Sequence, residues 1–181
     1  MNSARSIGIG MFLHNEADFV AAALDSLLGQ SCGNFELVIC DNASDDGTED
    51  ICRDYACRDG RIRYERSERN LGALANSQRA IELTRGDYFM FASGHDLWSS
   101  NFVELGLAAL QANTGAVLAF GDTVWIDAKG NATGRRTGFC DSCDASAVDR
   151  FYHTQWGNMN PIYGLMRRDE LKRVRTNMQM Q

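Results

Sequence analysis

The chain opens on a short run of apolar and small residues, Ser6-Ile7-Gly8-Ile9-Gly10-Met11-Phe12-Leu13, which gives way to the polar pair Asn15-Glu16. Such a run is too short for a helix and predicts a buried strand. The apolar positions then change period: Phe19, Ala23 and Leu27, with Val20, Leu24 and Leu28, recur at the spacing of one helix face. Phe35-Glu36-Leu37-Val38-Ile39-Cys40 predicts a second strand. It stops at Asp41-Asn42-Ala43-Ser44-Asp45-Asp46-Gly47-Thr48, a cluster of turn and N-cap residues that opens a helix through about Arg58. Arg61-Ile62-Arg63-Tyr64-Glu65 predicts a third strand, and Asn70-Leu71-Gly72 a loop. A helix from about Ala73 to Arg85, closed by Gly86, precedes a fourth strand, Asp87-Tyr88-Phe89-Met90-Phe91-Ala92. Next come a helix from about Ser100 to Ala112 and one long or bent strand over Ala116–Gly121 and Thr123–Ile126, ended by the turn Ala128-Lys129-Gly130-Asn131.

Strands alternating with helices need crossover connections, so the fold class is α/β, with a mainly parallel central sheet and helices on both faces. Ligands of such sheets sit at the carboxyl ends of the strands. The places to look are therefore Phe12 to Glu16, Asp41 to Ser44, and Ser93 to Asp96. The chain has no internal repeat and no low-complexity tract.

Composition narrows the function classes. With 181 residues and 44% hydrophobic side chains the chain can bury one sizeable core. The 24 acidic against 18 basic residues, net charge -6, work against a nucleic-acid partner. Arg135-Arg136 and Arg167-Arg168 read as local pairs of solvated charge. No run approaches the roughly 18 apolar residues of a membrane helix and no secretory signal opens the chain, so a cytoplasmic location is expected. The six cysteines are scattered and read as reduced thiols, with Cys40 in the core. Cys140-Asp-Ser-Cys143 has metal-like spacing, but a second ligand pair is missing and His153 would be only a third ligand, so structural zinc is not expected.

Gly8-x-Gly10 at the first strand invites a dinucleotide reading, yet Leu13 stands at the third glycine position, and no Gly-Lys-Ser or Gly-Lys-Thr phosphate loop occurs. A nucleotide would have to be held by side chains and a metal. Asp41, beside Asn42 at a strand tip, can accept from a ribose hydroxyl or a base imide, or can simply cap a turn; the residue pattern leaves both open. Ser93-Gly94-His95-Asp96-Leu97-Trp98 sets an imidazole beside a carboxylate, with a glycine that would let a bulky ligand approach. That pair suits a divalent metal on a diphosphate, and equally a surface histidine next to a helix-capping aspartate. Trp98, Trp125 and Trp156 can stack on a sugar or pack against the sheet.

The succession of pieces over about residues 6 to 125 resembles the family-2 glycosyltransferases, GT-A-fold enzymes that use nucleotide-diphosphate sugars. The matching pieces are His14-Asn15-Glu16, Leu24-Asp25-Ser26-Leu27-Leu28-Gly29-Gln30-Ser31, Phe35 through Thr48, Arg61-Ile62-Arg63, Asn70-Leu71-Gly72, Ala80 through Tyr88, and Asp96-Leu97-Trp98. The resemblance implies that Phe12 and His14 contact the nucleobase and that Asp41 binds base or ribose, with Glu16, Asn70 and Gly94 completing the nucleotide-sugar contacts. It lays Ser93–Asp96 on the family's Asp-x-Asp region and makes His95 and Asp96 the metal ligands. Because only Asp96 keeps a carboxylate and imidazole is a poor ligand for magnesium, the divalent cofactor expected is Mn²⁺ rather than Mg²⁺.

The resemblance also divides the chain into a nucleotide-sugar-binding half, residues 1–115, and an incomplete start of the acceptor-side half, residues 116–181. Relatives place the catalytic base in an acidic motif beyond the segment matched by Pro161-Ile162-Tyr163-Gly164-Leu165-Met166-Arg167-Arg168, and the chain stops at Gln181 before it. None of Asp141, Asp144, Asp149 and Asp169 is assigned as base. Tyr152, His153 and Trp156 fall where relatives face the acceptor. The implied function is inverting, metal-assisted transfer of a sugar from a nucleotide-diphosphate donor to a glycan, lipid-carrier or protein acceptor. Such work belongs to polysaccharide biosynthesis and is compatible with peripheral membrane association. The alternative is a non-catalytic nucleotide-sugar-binding or inert GT-A domain lacking the base.

Overall fold

The computed structural model describes residues 7–138, 145–152 and 160–177. In its first part β1 (Ile7–Leu13), α1 (Val20–Leu28), β2 (Phe35–Asp41), α2 (Thr48–Arg58), β3 (Ile62–Arg66), α3 (Ala73–Leu83), β4 (Tyr88–Ala92) and α4 (Phe102–Ala112) follow the alternation read from the sequence. β1 pairs in parallel with β2 on one side and β4 on the other, and β3 adds to β2. The chain thus winds outward through β2 and β3, then returns to the far side of β1. Strand order reverses between β1 and β4, the position where open α/β sheets leave a crevice at their carboxyl edge.

The later residues complete the same sheet. β5 (Leu118–Ala119) and, further on, β8 (Leu165–Arg167) give the six-stranded order β3-β2-β1-β4-β8-β5, with β8 antiparallel to both neighbours. The single bent strand expected over 116–126 is instead two strands in different sheets. After β5 the chain leaves the main sheet, and β6 (Thr123–Ile126) pairs with β7 (Ala132–Thr137) as a separate antiparallel ribbon. Its turn is tied by Asp127, which accepts from the backbone N–H groups of Lys129 and Asn131, both at 2.9 Å. α5 (Ala147–Tyr152), a 3-10 turn at Asn160–Tyr163 and α6 (Arg168–Asn177) complete the described elements.

Helices cover both faces. On one, α1, α2 and α4 bury Leu24, Leu27, Cys52, Val103 and Leu110 against Ile7, Ile9, Met11, Leu37 and Ile39. On the other, α3 and α6 cover Val38, Cys40, Phe89 and Phe91. Gly8 and Gly10 serve this second face. A Cβ on Gly10 would lie 3.0 Å from the Ala80 methyl, and one on Gly8 would meet the Arg85 carbonyl and, at 2.8 Å, the Arg168 guanidinium. Phe19, placed in the α1 stripe by its spacing, is exposed at the helix N-terminus. α3 ends at Leu83, before the predicted Arg85, because the Thr84 hydroxyl turns back onto the Ala80 carbonyl at 2.9 Å.

Arg167 and Arg168 are not the solvated pair their spacing suggested. Consecutive residues at a strand end point to opposite faces, and each arginine reaches the carbonyl end of a helix. Arg167 donates to Leu110 and Ala116 carbonyls by α4 at 2.5 and 2.9 Å. Arg168, only 9% exposed, donates to the Ile81 carbonyl and the Thr84 hydroxyl by α3 at 3.2 and 3.0 Å. Cations at helix C-termini satisfy carbonyls that lack intrahelical partners. Burial holds the Arg168 pKa below its ordinary range, partly offset by Glu36. Among the described residues no helix is long and apolar enough to cross a membrane.

Two outcomes follow from this packing. Cys40 and Cys52 are buried, and burial pushes their thiols up to about 11 and about 12, whereas Cys57 is exposed. Thiolate is the reactive form, so alkylation near neutral pH followed by peptide mass spectrometry should modify Cys57 in the native chain and Cys40 and Cys52 only after denaturation. Gly8→Ala forces a methyl into backbone and guanidinium, and urea unfolding should show a loss of about 2 kcal/mol or more.

Candidate active site at the carboxyl edge of the sheet

The loops after β1 and β2 are built as one unit. Asn15 has a left-handed backbone (φ 56°), paired with a second left-handed residue, Ala43 (φ 63°). Asn15 is held by three bonds: its N–H donates to the Ser44 hydroxyl at 2.9 Å, its side-chain amide donates to Asp45 at 2.9 Å, and its Oδ1 accepts the Asp45 N–H at 3.0 Å. One residue on, the Glu16 N–H donates to Thr48 Oγ1 at 2.8 Å and the Ala17 N–H to Asp46 at 3.0 Å. Burial opposes ionisation of Asp46, but the bonds from Thr48 and Ala17 outweigh it and hold its carboxyl below the usual range.

Asp41 anchors this unit from beneath. It is 0% exposed; Oδ1 accepts from the Ser44 N–H and hydroxyl at 2.9 and 2.6 Å, and Oδ2 accepts from the Tyr64 hydroxyl. Burial, then the bond to Asp41, drives the Tyr64 hydroxyl well above the ordinary tyrosine range. The carboxylate here caps the turn at Ser44. The neighbouring Asn42 reaches Asn70, its amide donating to Asn70 Oδ1 at 2.7 Å while its Oδ1 accepts the Leu71 N–H at 2.8 Å. Asn76 of α3 donates to the Cys40 carbonyl at 2.8 Å and to that of Leu13 at 3.4 Å, so the helix grips the tips of β2 and β1.

The β4 tip meets the β1 tip across the crevice. His95 Nδ1 lies 2.9 Å from Glu16 Oε1, and the Ser93 hydroxyl donates to Asp96 Oδ2 at 2.6 Å. A Cβ at Gly94 would lie 3.0 Å from both Cβ and Cγ of Glu16, so the glycine lets the β4 loop pack closely on Glu16. Beyond Asp96 opens a cavity of about 310 Å³, whose walls include Trp98, Phe102, Phe120, Asp122, Ile126 and Tyr163. Burial, then the charges of Asp96 and Glu16, raises the Tyr163 pKa, which puts that phenol in the field of both tips.

The structure therefore gathers Glu16, Gly94, His95 and Asp96 at the β1/β4 crevice and sets Asn70 beside Asn42 at the β2 side. Phe12 is half-buried, edge-on to Phe91 at 5.5 Å, and His14 is exposed at the β1 tip. Trp98 packs against the core and also lines the cavity, while Trp125 lies on the ribbon under Arg135 at 4.2 Å. Tyr163, Phe102 and Asp122 line the cavity without having been singled out, because only the folded chain brings the ribbon and the 3-10 turn to the β4 tip. Cys140, Asp141, Cys143, Asp144, His153 and Trp156, and the side chain of Tyr152, lie outside the described residues.

No three His, Cys, Asp or Glu side chains gather into a metal cage among the described residues. His95, whose side chain is 54% exposed, and Asp96, with one oxygen bonded to Ser93, offer two donors. Two donors fit a divalent cation that completes its shell with phosphate oxygens and water, and do not fit a cation held by protein alone.

Comparison with known proteins places this geometry. The sequence profile described as Glycosyl transferase family 2 matches residues 9–174. The putative teichuronic acid biosynthesis glycosyltransferase TuaG of Bacillus subtilis (strain 168) is 34% identical over 91 residues, 50% of this chain and 36% of that protein. The UDP-Glc:alpha-D-GlcNAc-diphosphoundecaprenol beta-1,3-glucosyltransferase WfgD of Escherichia coli is 27% identical over 107 residues, 59% of this chain and 42% of its own. S. aureus TarS 1-349, also solved in complex with UDP, superposes with a TM-score of 0.70 at 18% identity, covering 94% of this chain and 49% of the TarS 1-349 chain. The mannosyltransferase PcManGT from Pyrobaculum calidifontis, in complex with GDP-Man and Mn²⁺, gives 0.57 at 21% identity over 63% of this chain and 34% of its own. The chain spans less than half the length of each of these proteins. The structural likeness carries the fold, which is the expected GT-A type, and the profile carries the ancestry: the chain belongs to glycosyl transferase family 2.

Proposed function

We propose that the β1/β4 crevice binds a nucleoside-diphosphate sugar and that the sugar is transferred, with inversion, to an acceptor hydroxyl entering from the adjoining cavity. The observation that carries this reading is the meeting of Glu16 and His95 across the point where strand order reverses, with Asp96 opening directly onto that cavity. On this reading residues 1–115 are the donor half and the ribbon and later elements the beginning of the acceptor half. Phe12, His14 and Asn70 flank the nucleobase and ribose. Asp41 acts one step removed, by holding Ser44 and through it the Asn15 turn. Gly94 lets the β4 loop close onto Glu16.

His95 and Asp96 would hold a divalent cation together with the diphosphate, Mn²⁺ in preference to Mg²⁺ because one donor is imidazole. That ion would offset charge on the departing diphosphate. The UDP complex of TarS, and the GDP-Man and Mn²⁺ of PcManGT, support a nucleotide donor and a metal for this chain too. The name of WfgD supports a diphosphate-linked lipid among the candidate acceptors, beside glycans and proteins, and so a membrane-associated site of action. A second reading, a donor-binding module without transfer, is favoured by one observation: the imidazole of His95 at a position usually acidic in the family.

Calorimetric titration of UDP, GDP and dTDP, with and without Mn²⁺, tests the donor site. One nucleotide should bind only when Mn²⁺ is present, Mn²⁺ alone should not bind measurably, and His95→Ala should weaken the complex at least about tenfold, or ~1.4 kcal/mol. Binding of none of them under any condition defeats the donor-site reading. Binding without sugar release or transfer from the matching nucleotide sugar favours the module.

A further inference from the structure

We propose that Glu16 is a positioning residue that fixes the His95 ring in its Nδ1–H form, so that the Nε2 lone pair is the one presented at the β1/β4 crevice. The inference rests on the donor-site reading only for the identity of the group that Nε2 meets.

The geometry decides the tautomer. An ionised carboxylate accepts hydrogen bonds and donates none, so the 2.9 Å contact between Glu16 Oε1 and His95 Nδ1 requires the proton on Nδ1. In the neutral ring Nε2 then carries the free lone pair, with the side chain half in solvent.

Glu16 is built to hold that position. Its side chain is only 17% exposed, its N–H is bonded to Thr48 Oγ1, and that hydroxyl in turn donates to Asp46 Oδ1 at 2.5 Å. From the other side the Gly94 backbone packs so closely that a Cβ there would lie 3.0 Å from its Cβ and Cγ. A surface ion pair contributes little and does not need such a fit. The neighbouring donor follows the same plan, since the buried Ser93 hydroxyl holds Asp96 Oδ2 at 2.6 Å. Each of the two donors at the crevice thus has one protein partner that orients it, the arrangement by which outer residues aim a ligand and raise its basicity. The contact also ties β1 to β4 over a separation of 79 residues, so the aim of the ring depends on both tips being in place.

The test is ¹⁵N NMR of the histidine rings in the metal-free, nucleotide-free chain at about pH 8, where an ordinary imidazole is neutral. The sequence has three histidines, His14, His95 and His153, and His95→Gln assigns the His95 signals by their loss. The wild-type ring should show a protonated Nδ1 and an unprotonated Nε2. Glu16→Ala should shift His95 toward the tautomer mixture of a free imidazole while the His14 signals stay in place. A wild-type His95 found as the Nε2–H form overturns the proposal without recourse to any variant. An Nδ1–H form that survives Glu16→Ala in a folded chain, judged by its amide spectrum, overturns it as well. Titration of UDP with Mn²⁺ into the same Glu16→Ala protein should show affinity reduced by about 10–100-fold. If wild type itself binds no nucleotide, the donor-site reading fails while the ring spectra still decide the role of Glu16.

Discussion

The close approach of α3 to β1 is the constraint on which the other features depend. Two positions of the central strand, Gly8 and Gly10, carry no side chain, and the space is taken by the α3 backbone, the Ala80 methyl and the Arg168 guanidinium. With the helix this near, Asn76 reaches carbonyls at the tips of β1 and β2 and so ties the helix N-terminus to both. The other end of α3 is closed by Arg168, which brings β8 against β4 and draws the later residues into the sheet. One short strand without side chains at two positions therefore sets both the carboxyl edge that makes the site and the far edge that closes the fold.

At the carboxyl edge the polar residues divide by what they bond. Asp41, Asp45 and Asp46 accept N–H or O–H groups from their own loops and from the Asn15 turn, and so hold two backbone segments together. Buried or tightly bonded carboxylates of this kind stabilise only while every partner is in place. Glu16, His95 and Asp96 stand on the opposite side of β1, where the polar groups face a crevice and a cavity. The edge is thus a rigid frame of acids on the β2 side and an open pair of donors on the β4 side.

Much of the frame was legible in the chain. The strands and helices up to Ala112 announce themselves through local period and turn residues, which act over a few positions and need no knowledge of the fold. Beyond that point the signal fails for identifiable reasons. β7 is exposed and reads Ala-Thr-Gly-Arg-Arg-Thr, with no apolar alternation, and the apolar runs of β5 and β6 are separated only by Gly121-Asp122 although the two strands belong to different sheets. Arg167 and Arg168 look like surface charge because their partners are helix-end carbonyls far away in the chain. Gly8-x-Gly10 looks like a failed dinucleotide fingerprint because a glycine needed for packing and one needed for a ligand are the same letter. At the site, the Ser93–Asp96 tip could be picked out by residue type. The pairing of His95 with Glu16 could not, since nothing local specifies which of many carboxylates lands beside an imidazole. Gly94 shows the same limit: nothing in the sequence says that Glu16 packs against it.

The replacement of an acid by His95 bears on how this edge would meet a diphosphate. The edge already carries Glu16, Asp41, Asp45, Asp46 and Asp96. Two like unit charges about 4 Å apart repel by about 4 kcal/mol at an effective dielectric near 20. An acid at position 95 would add one such term whenever a nucleotide entered without a cation. An imidazole held as the Nδ1–H form adds a lone pair without adding charge, so it keeps a donor for a transition-metal ion and lowers the repulsion at the same time. On the proposed donor-site reading, His95 would thus keep a donor for a transition-metal ion while shifting the set away from the oxygen ligands that magnesium prefers.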